Sequence, residues 1–300
     1  MPKMTMLLSD FETNKPLKDL STLGIGGPAR YFTVARKAEE MLEIIRLCRK
    51  ENLPYFILGK GSNCLFNDKG FDGVVILNKI SFIKYEGRRF SAGAGYSFPL
   101  LGTKTAKEGL SGLEFAAGIP CTVGGAVFMN AGANGQDASL CLESVEYVTH
   151  AGELVTLTKD QLKFGYRTSS FQQMQGAIVS ATFLLTPSAD AKKKQNILVA
   201  YRIKTQPYGD MSAGCVFRNA EKASAGALIE RCGLKGHSIG GAKVSDMHAN
   251  FIVNTGAATA KDILALMEFV KATVKEQAGI DLEEEIRCIP FAAKRSIYSS

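Results

Sequence analysis

"PYFILGKGSNCLF", residues 54–66, is an apolar run that breaks into a pair of glycines and then resumes. The first part reads as a buried strand. The Gly-x-Gly turn behind it has backbone N–H groups with no Cβ to shield them, and Ser62 and Asn63 add a hydroxyl and an amide. A turn of this kind meets an anion with dipoles rather than a full counter-charge. Gly59, Lys60, Gly61, Ser62 and Asn63 are therefore candidate ligands for a pyrophosphate. A second segment, "GIPCTVGGAVFMNAGANG" at 118–135, repeats the idea and offers Gly118, Ile119, Thr122, Gly124, Gly125, Ala126, Asn130 and Gly132. Two such loops in one domain point to a dinucleotide too large for a single turn.

Other nucleotide motifs fail on context. "GIGGPA" at 24–29 fits G-x-G-x-x-G/A, but "KDLST" before it is no buried strand and "RYFTVA" after it is no helix. "GKGSN" lacks the spacing of a P-loop. Outward from the glycine loops, "GVVIL" (73–77) and "AIVSATFLL" (177–185) read as strands, and "VEYVTHAGELVTLT" (145–158) as a hairpin. "KAEEMLEIIRLCRKEN" (37–52) places Met41, Leu42, Ile45 and Cys48 on one face of a helix. The segment "TPSADAKKKQ" (186–195) shows no periodicity and holds the one dense basic cluster, so a solvated linker and a domain boundary are expected there. Beyond it, "SAGALIERCG" and "KDILALMEFVKATVKEQAG" read as helices, and "ANFIVN" and "EEIRCI" as strands.

Composition narrows the function classes. The chain has 300 residues, 46% of them hydrophobic, and no apolar run approaches the length that crosses a bilayer. "MPKMTMLLSD" lacks the long apolar stretch of a secretory signal, so a cytoplasmic location without membrane insertion is expected. Seven widely spaced cysteines form no CxxC pair and the three histidines no HExxH, which argues against a metal site. The net charge of +7 is dispersed, without the basic-aromatic clustering of a nucleic-acid binder, and no nucleic-acid partner is expected.

Seven blocks, "STLGIGGPA", "GKGSNCLF", "GIPCTVGGAVFMNAGA", "YRTSSF", "QPYGDMSAGCVFRN", "GGAKVSDMHANFIVN" and "LEEEIRCI", follow the order and spacing of UDP-N-acetylenolpyruvoylglucosamine reductases. The likeness spans residues 20–290, and "HANFIVN" resembles the shorter subclass of that family. What the resemblance implies is an α+β protein with the FAD-binding fold of the vanillyl-alcohol oxidase (PCMH) type in two subdomains, followed by an α+β substrate-binding domain. The expected division is 1–78, completed by 280–300, then 79–192, then 193–279. The implied activity is that of UDP-N-acetylmuramate dehydrogenase. It uses non-covalent FAD and NADPH as co-substrate to reduce UDP-N-acetylglucosamine enolpyruvate in peptidoglycan precursor synthesis. A monomer is expected. The rival readings are another FAD oxidase or dehydrogenase of the same fold, and a non-catalytic flavin or nucleotide-sugar sensor.

Hydride addition to a vinyl ether that carries a carboxylate builds negative charge on that carboxylate, so the site needs fixed donors and a proton source. By resemblance, Arg167 faces the carboxylate, for which its planar fork is suited. Glu285 is preferred in register over Glu283 and Glu284, which read as solvated charges. Beside a substrate carboxylate, Glu285 serves best if it is protonated. Cys215 stands where most family members carry the proton-donating serine. A nearby arginine could convert its thiol to thiolate, whereas burial would oppose this. Cys121 replaces a common glycine and threatens to crowd the flavin loop. Met211 and Ala220 each replace a common proline. Arg218, Asn219 and Gln206 are expected near the nucleotide of the substrate, with Lys243, His248 and Asn250 as further candidates. His248 reads equally well as a core histidine satisfied by backbone.

Overall fold

The computed structural model describes residues 6–221 and 223–292. The run that ends at Gly59 is the edge strand Tyr55–Leu58 of a four-stranded sheet, in the order Glu12–Pro16, Pro28–Ala35, Phe71–Asn78, Tyr55–Leu58. The last three strands are mutually parallel. Parallel strands need a crossover, and the helix Ala38–Lys50 carries the chain from Pro28–Ala35 to Tyr55–Leu58, the two strands that flank Phe71–Asn78. Its apolar stripe of Met41, Ile44, Ile45, Leu47 and Cys48 is buried. Val148, Ala177 and Val179 from a second sheet share that cluster, so the helix is wedged between two sheets.

The second sheet has five strands and is antiparallel throughout, ordered Leu154–Thr158, Leu142–Thr149, Gly176–Leu184, Arg89–Gly93, Ile83–Glu86. The expected hairpin forms its first pair. Its other face packs on the helix Phe98–Lys107 and the short helix Val123–Phe128 around Phe98, Phe115 and Phe183. The third sheet, ordered Met211–Cys215, Phe251–Asn254, Ala242–Val244, Ser238–Ile239, is covered by the helices Ala225–Arg231 and Ala260–Ala278. The last helix is well specified at both ends. Thr259 and Asp262 form a reciprocal cap, and Gly279 closes it at φ 71°.

The linker expected at 186–195 is corrected by the structure. Residues from Ala191 onward are the first turns of the helix Ala191–Thr205, whose inner residues Ala191, Gln195 and Leu198 are four and three positions apart. Gln195 donates to Thr103 Oγ1 on the neighbouring helix, and Leu198 packs against the core of the five-stranded sheet. The helix therefore lies on the second layer rather than spanning a gap. Periodicity was hidden because the apolar stripe is short and three lysines open the helix.

The chain then returns to where it began. Arg287–Ile289 pairs in parallel with Cys64–Phe66, and Asp72 N donates to Phe291 O. These contacts bring the C-terminal segment, as far as residue 292, back against the first layer. Residues 293–300 lie outside the described part.

Candidate active site

A cavity of about 430 Å³ opens where the three sheets meet, within the usual range of ligand sites. The two glycine loops form its floor. Gly59 has no Cβ to hold them apart, since one built there would stand 2.6 Å from Thr122 Oγ1. Among the described residues, no acceptor meets the backbone N–H groups of Lys60, Gly61, Ser62 and Asn63. Uncovered donors on a cavity floor are the chemistry that a phosphate-bearing cofactor requires. Four cations, Lys60, Arg167, Arg202 and Arg287, line the cavity against two carboxylates, Asp210 and Glu285, so its field favours anions. These residues fit a bound FAD.

Most of the expected cofactor residues line the cavity: Gly59, Lys60, Gly61, Ser62, Asn63, Ile119, Thr122, Gly124, Gly125 and Gly132. Three do not. Gly118 is covered by the stem of Arg202, and its carbonyl accepts from Tyr208 Oη at 2.7 Å. Ala126 lies on the core side of its short helix and is fully buried. Asn130 is buried, where it donates to Gly165 O at 2.9 Å and accepts from Ser139 N at 3.0 Å. The side chain of Asn63 is also partly committed, donating to Glu285 O at 3.2 Å. Cys121 lines the cavity but also packs against the core, and burial pushes its thiol up to about 12.

Arg167 occupies the second position of a two-residue turn between Phe164–Gly165 and Thr168–Ser169, with φ 57°. A left-handed arginine costs on the order of 1 kcal/mol and persists only where its surroundings fix it. Here Asn130 holds the hairpin at Gly165 O, and Gln172 Nε2 donates to Arg167 O at 3.0 Å. Arg167 Nε donates to Glu285 Oε1 at 2.7 Å and an Nη2 hydrogen to Gly132 O at 2.9 Å. Tyr166 lies beneath the guanidinium, 4.9 Å from its ring centre. Nη1 and the remaining Nη2 hydrogen are left for a ligand.

The three consecutive glutamates differ in exposure. The Glu283 side chain is 78% exposed and Glu284 36%, whereas Glu285 is 15% exposed and turns inward to Arg167. Glu284 instead pairs with Lys271 at 3.3 Å.

Cys215 sits beyond an irregularity in its strand. Ser212 opposes Val253 and Cys215 opposes Phe251, so three steps on one strand match two on the other. The extra residue is a bulge, with Gly214 at φ 77°. Without it, Ser212 and Cys215 would face opposite sides; with it, both face the cavity. The thiol keeps one side open to the cavity and is otherwise enclosed. Burial first, and then the Glu285 carboxylate, push it up to about 12, against the opposing pull of Arg202, Arg167 and the Asn250 amide. The thiolate that a nearby arginine was expected to threaten is therefore not the favoured form.

Of the six expected substrate residues, only Gln206 lines this cavity, held by Arg202 Nη2 at 2.8 Å. The Arg218 head group lies 3.8 Å from Glu283. Asn219 Oδ1 accepts from Ala225 N, starting a helix. Lys243 lines an adjoining hollow, which shares Gly209 and Asp210 with the cavity, and pairs with Asp246 at 2.6 Å. His248 Nδ1 accepts from Asn250 N at 3.2 Å, and burial lowers its proton affinity. Asn250 is buried in contacts described below. Sequence reasoning missed Arg202, whose Nε is buried at the cavity wall with no hydrogen-bond partner among the described residues. Its position four residues before Gln206, the residue that ends its helix, was the available signal.

Comparison with known proteins agrees with this architecture. Residues 29–158 match the FAD binding domain model, and 206–289 match the model of the UDP-N-acetylenolpyruvoylglucosamine reductase C-terminal domain. The reductase of that name from Protochlamydia amoebophila is 53% identical over 284 residues, covering 94% of this chain and 95% of its own. The one from Chlamydia muridarum is 49% identical, with coverages of 92% and 93%. The crystal structure of the Thermus caldophilus reductase superposes with a TM-score of 0.80 at 38% identity, covering 93% of this chain and 99% of that one. The chain belongs to the UDP-N-acetylenolpyruvoylglucosamine reductase family, whose members are FAD-dependent oxidoreductases.

Proposed function

We propose that the chain reduces UDP-N-acetylglucosamine enolpyruvate to UDP-N-acetylmuramate at the expense of NADPH, with Cys215 as proton donor. The observation that supports this reading is the meeting of Arg167, Cys215 and Glu285 on one wall of a cavity whose floor offers uncovered N–H donors. FAD, which the uncovered N–H groups of residues 60–63 would hold, would supply the two-electron hydride chemistry between NADPH and the terminal vinyl carbon.

The protein's own groups manage the charge that this creates. As the C–H bond forms, the C=C electron pair shifts to the carbon bearing the carboxylate. The free hydrogens of Arg167 meet that carboxylate while Glu285 and Gly132 O hold the fork in orientation. Cys215 then gives its proton to the carbanionic carbon, leaving a thiolate that solvent reprotonates. Glu285 thus serves twice, anchoring Arg167 and helping keep the sulfur protonated.

The same reading makes the protein a cytoplasmic monomer; among the described residues no helix is long and apolar enough to cross a membrane. It also assigns residues 6–205, together with the C-terminal return from 280 as far as 292, to the flavin part. The substrate part then begins near 206, because the helix Ala191–Thr205 packs on the flavin side.

Anaerobic stopped-flow absorbance tests the proposal. NADPH should bleach the flavin, and the enolpyruvyl nucleotide should restore its colour. Cys215→Ala should bleach normally and recover about 10²- to 10⁴-fold more slowly, the usual worth of a general acid. Cys215→Ser should recover much of the rate. Unimpaired recovery in the alanine variant would remove Cys215 from the role, and acid precipitation that retains flavin in the pellet would favour a covalent oxidase of the same fold.

A further inference from the structure

Asn250 has no face on the cavity, yet its contacts converge on the segment that carries Cys215. The ladder between Met211–Cys215 and Phe251–Asn254 ends at Cys215. One residue further on, Val216 N donates to the Asn250 carbonyl at 2.9 Å. At Phe217 the backbone partner is replaced by a side chain. Phe217 N donates to Asn250 Oδ1 at 2.9 Å, and Asn250 Nδ2 donates to Phe217 O at 2.8 Å. A planar amide thus imitates a peptide unit and extends the sheet by one residue.

The other edge of the same segment is held by the C-terminal return. Glu285 N donates to Val216 O at 2.7 Å, Arg218 N donates to Glu283 O at 2.8 Å, and Phe217 bridges Glu284. Residues 216–218 are therefore bonded on both edges, with Cys215 at one end and Glu285 across from it. The clamp follows directly after Gly214, the bulge that turns the sulfur toward the cavity. A bulge flanked by a frayed strand end would leave the direction of Cys215 loosely set. The amide removes that freedom, and it is 3% exposed, so water does not compete for its bonds.

We propose that Asn250 is a positioning residue for proton transfer, clamping the Cys215–Phe217 segment so that the thiol is aimed at the substrate carbon. This rests on Cys215 being the donor. It predicts a selective defect, because misplacement by about 1 Å can cost about 100-fold in a chemical step.

The test compares parent and Asn250→Ala holoenzymes in both half-reactions. Reduction of the flavin by NADPH and flavin content per chain are expected to stay within about twofold. Reoxidation by the enolpyruvyl nucleotide is expected to slow about 10- to 100-fold, with a larger solvent deuterium isotope effect than the parent as proton transfer becomes limiting. In a Cys215→Ala background the Asn250 substitution should cost nothing further, since a group acting through Cys215 has nothing left to position. Asn250→Asp keeps the shape and the acceptor for Phe217 N–H but loses the donor, and should fall between the two; it carries the same comparison if Asn250→Ala does not fold. Equal slowing of both half-reactions, or an undiminished Asn250 effect in the Cys215→Ala background, would overturn the assignment. A Cys215→Ala variant with unimpaired reoxidation would instead fail the donor reading on which it rests.

Discussion

Replacing Cys215 by serine isolates what the thiol contributes as pH rises, because serine does not titrate in the range of the assay. The sulfur's proton is held by burial and by Glu285, which together raise its value from 9.0 to about 12. A thiol left at 9.0 would be about half ionised at pH 9 and would keep only about a tenth of its protons at pH 10. One at about 12 loses only about 1% of its protons at pH 10. The ratio of reoxidation rates, parent to Cys215→Ser, is therefore expected to stay flat from pH 6 to 10 and to fall only toward pH 11 and beyond. Single-turnover stopped-flow across that range measures the ratio directly, and pH effects on FAD or NADPH shared by both proteins cancel. A roughly tenfold fall in the ratio by pH 10 would show that burial does not hold the proton, and the account of this site would be wrong.

Three further outcomes are expected. Arg167→Lys keeps a charge, but with Glu285 and Gly132 O bonded an ammonium has one hydrogen left and no planar fork to present to a carboxylate. Flavin reoxidation should drop about 100-fold, and a near-parental rate would show that the fork is not used. Lys243→Ala breaks the pair with Asp246 in the adjoining hollow, so the KM for the enolpyruvyl nucleotide should change less than about twofold; a tenfold rise would place the nucleotide in that hollow. Cys48 is buried in the helix Ala38–Lys50 with its thiol pushed up to about 12 by burial. Its value in the folded chain exceeds the ordinary 9.0, so the stability it contributes is complete below pH 9 and is lost as pH climbs toward about 12. Cys48→Ala should therefore cost stability at pH 7, and the gap from the parent in urea titrations should narrow by about 1.4 kcal/mol per pH unit above 9. A gap that stays constant to pH 11 would contradict the shift.

Legibility from sequence followed how local the cause was. The strand Tyr55–Leu58, the glycine turn behind it and the helix Ala38–Lys50 were readable because alternation, chain-bending residues and a helical stripe are properties of neighbouring residues. The helix Ala191–Thr205 was missed because its stripe is partly polar: Gln195 and Arg202 stand where apolar residues would announce it. Gly118, Ala126 and Asn130 were read as ligands because they share a segment with true lining residues. Which side of a short helix faces a cavity is decided by packing, not by composition. The strain at Arg167 and the bulge at Gly214 belong to the same class. Both depend on partners more than 30 positions away, as the Asn130 and Asn250 contacts show.

The pairing of Arg287–Ile289 with Cys64–Phe66 has a consequence for synthesis. Asn63 and Glu285 touch across 222 positions, and the N-terminal part of a chain leaves the ribosome first. The glycine loops and the first sheet exist long before Glu285, the carboxylate that holds Arg167, has been translated. A nascent chain can therefore form a flavin-shaped floor with an unpaired strand edge at Cys64–Phe66, but it has no Glu285 with which to complete the opposite wall. That wall is completed only as residues 285–289 dock, so a chain cut before residue 285 lacks both the Arg167–Glu285 pair and the partner of Cys64–Phe66.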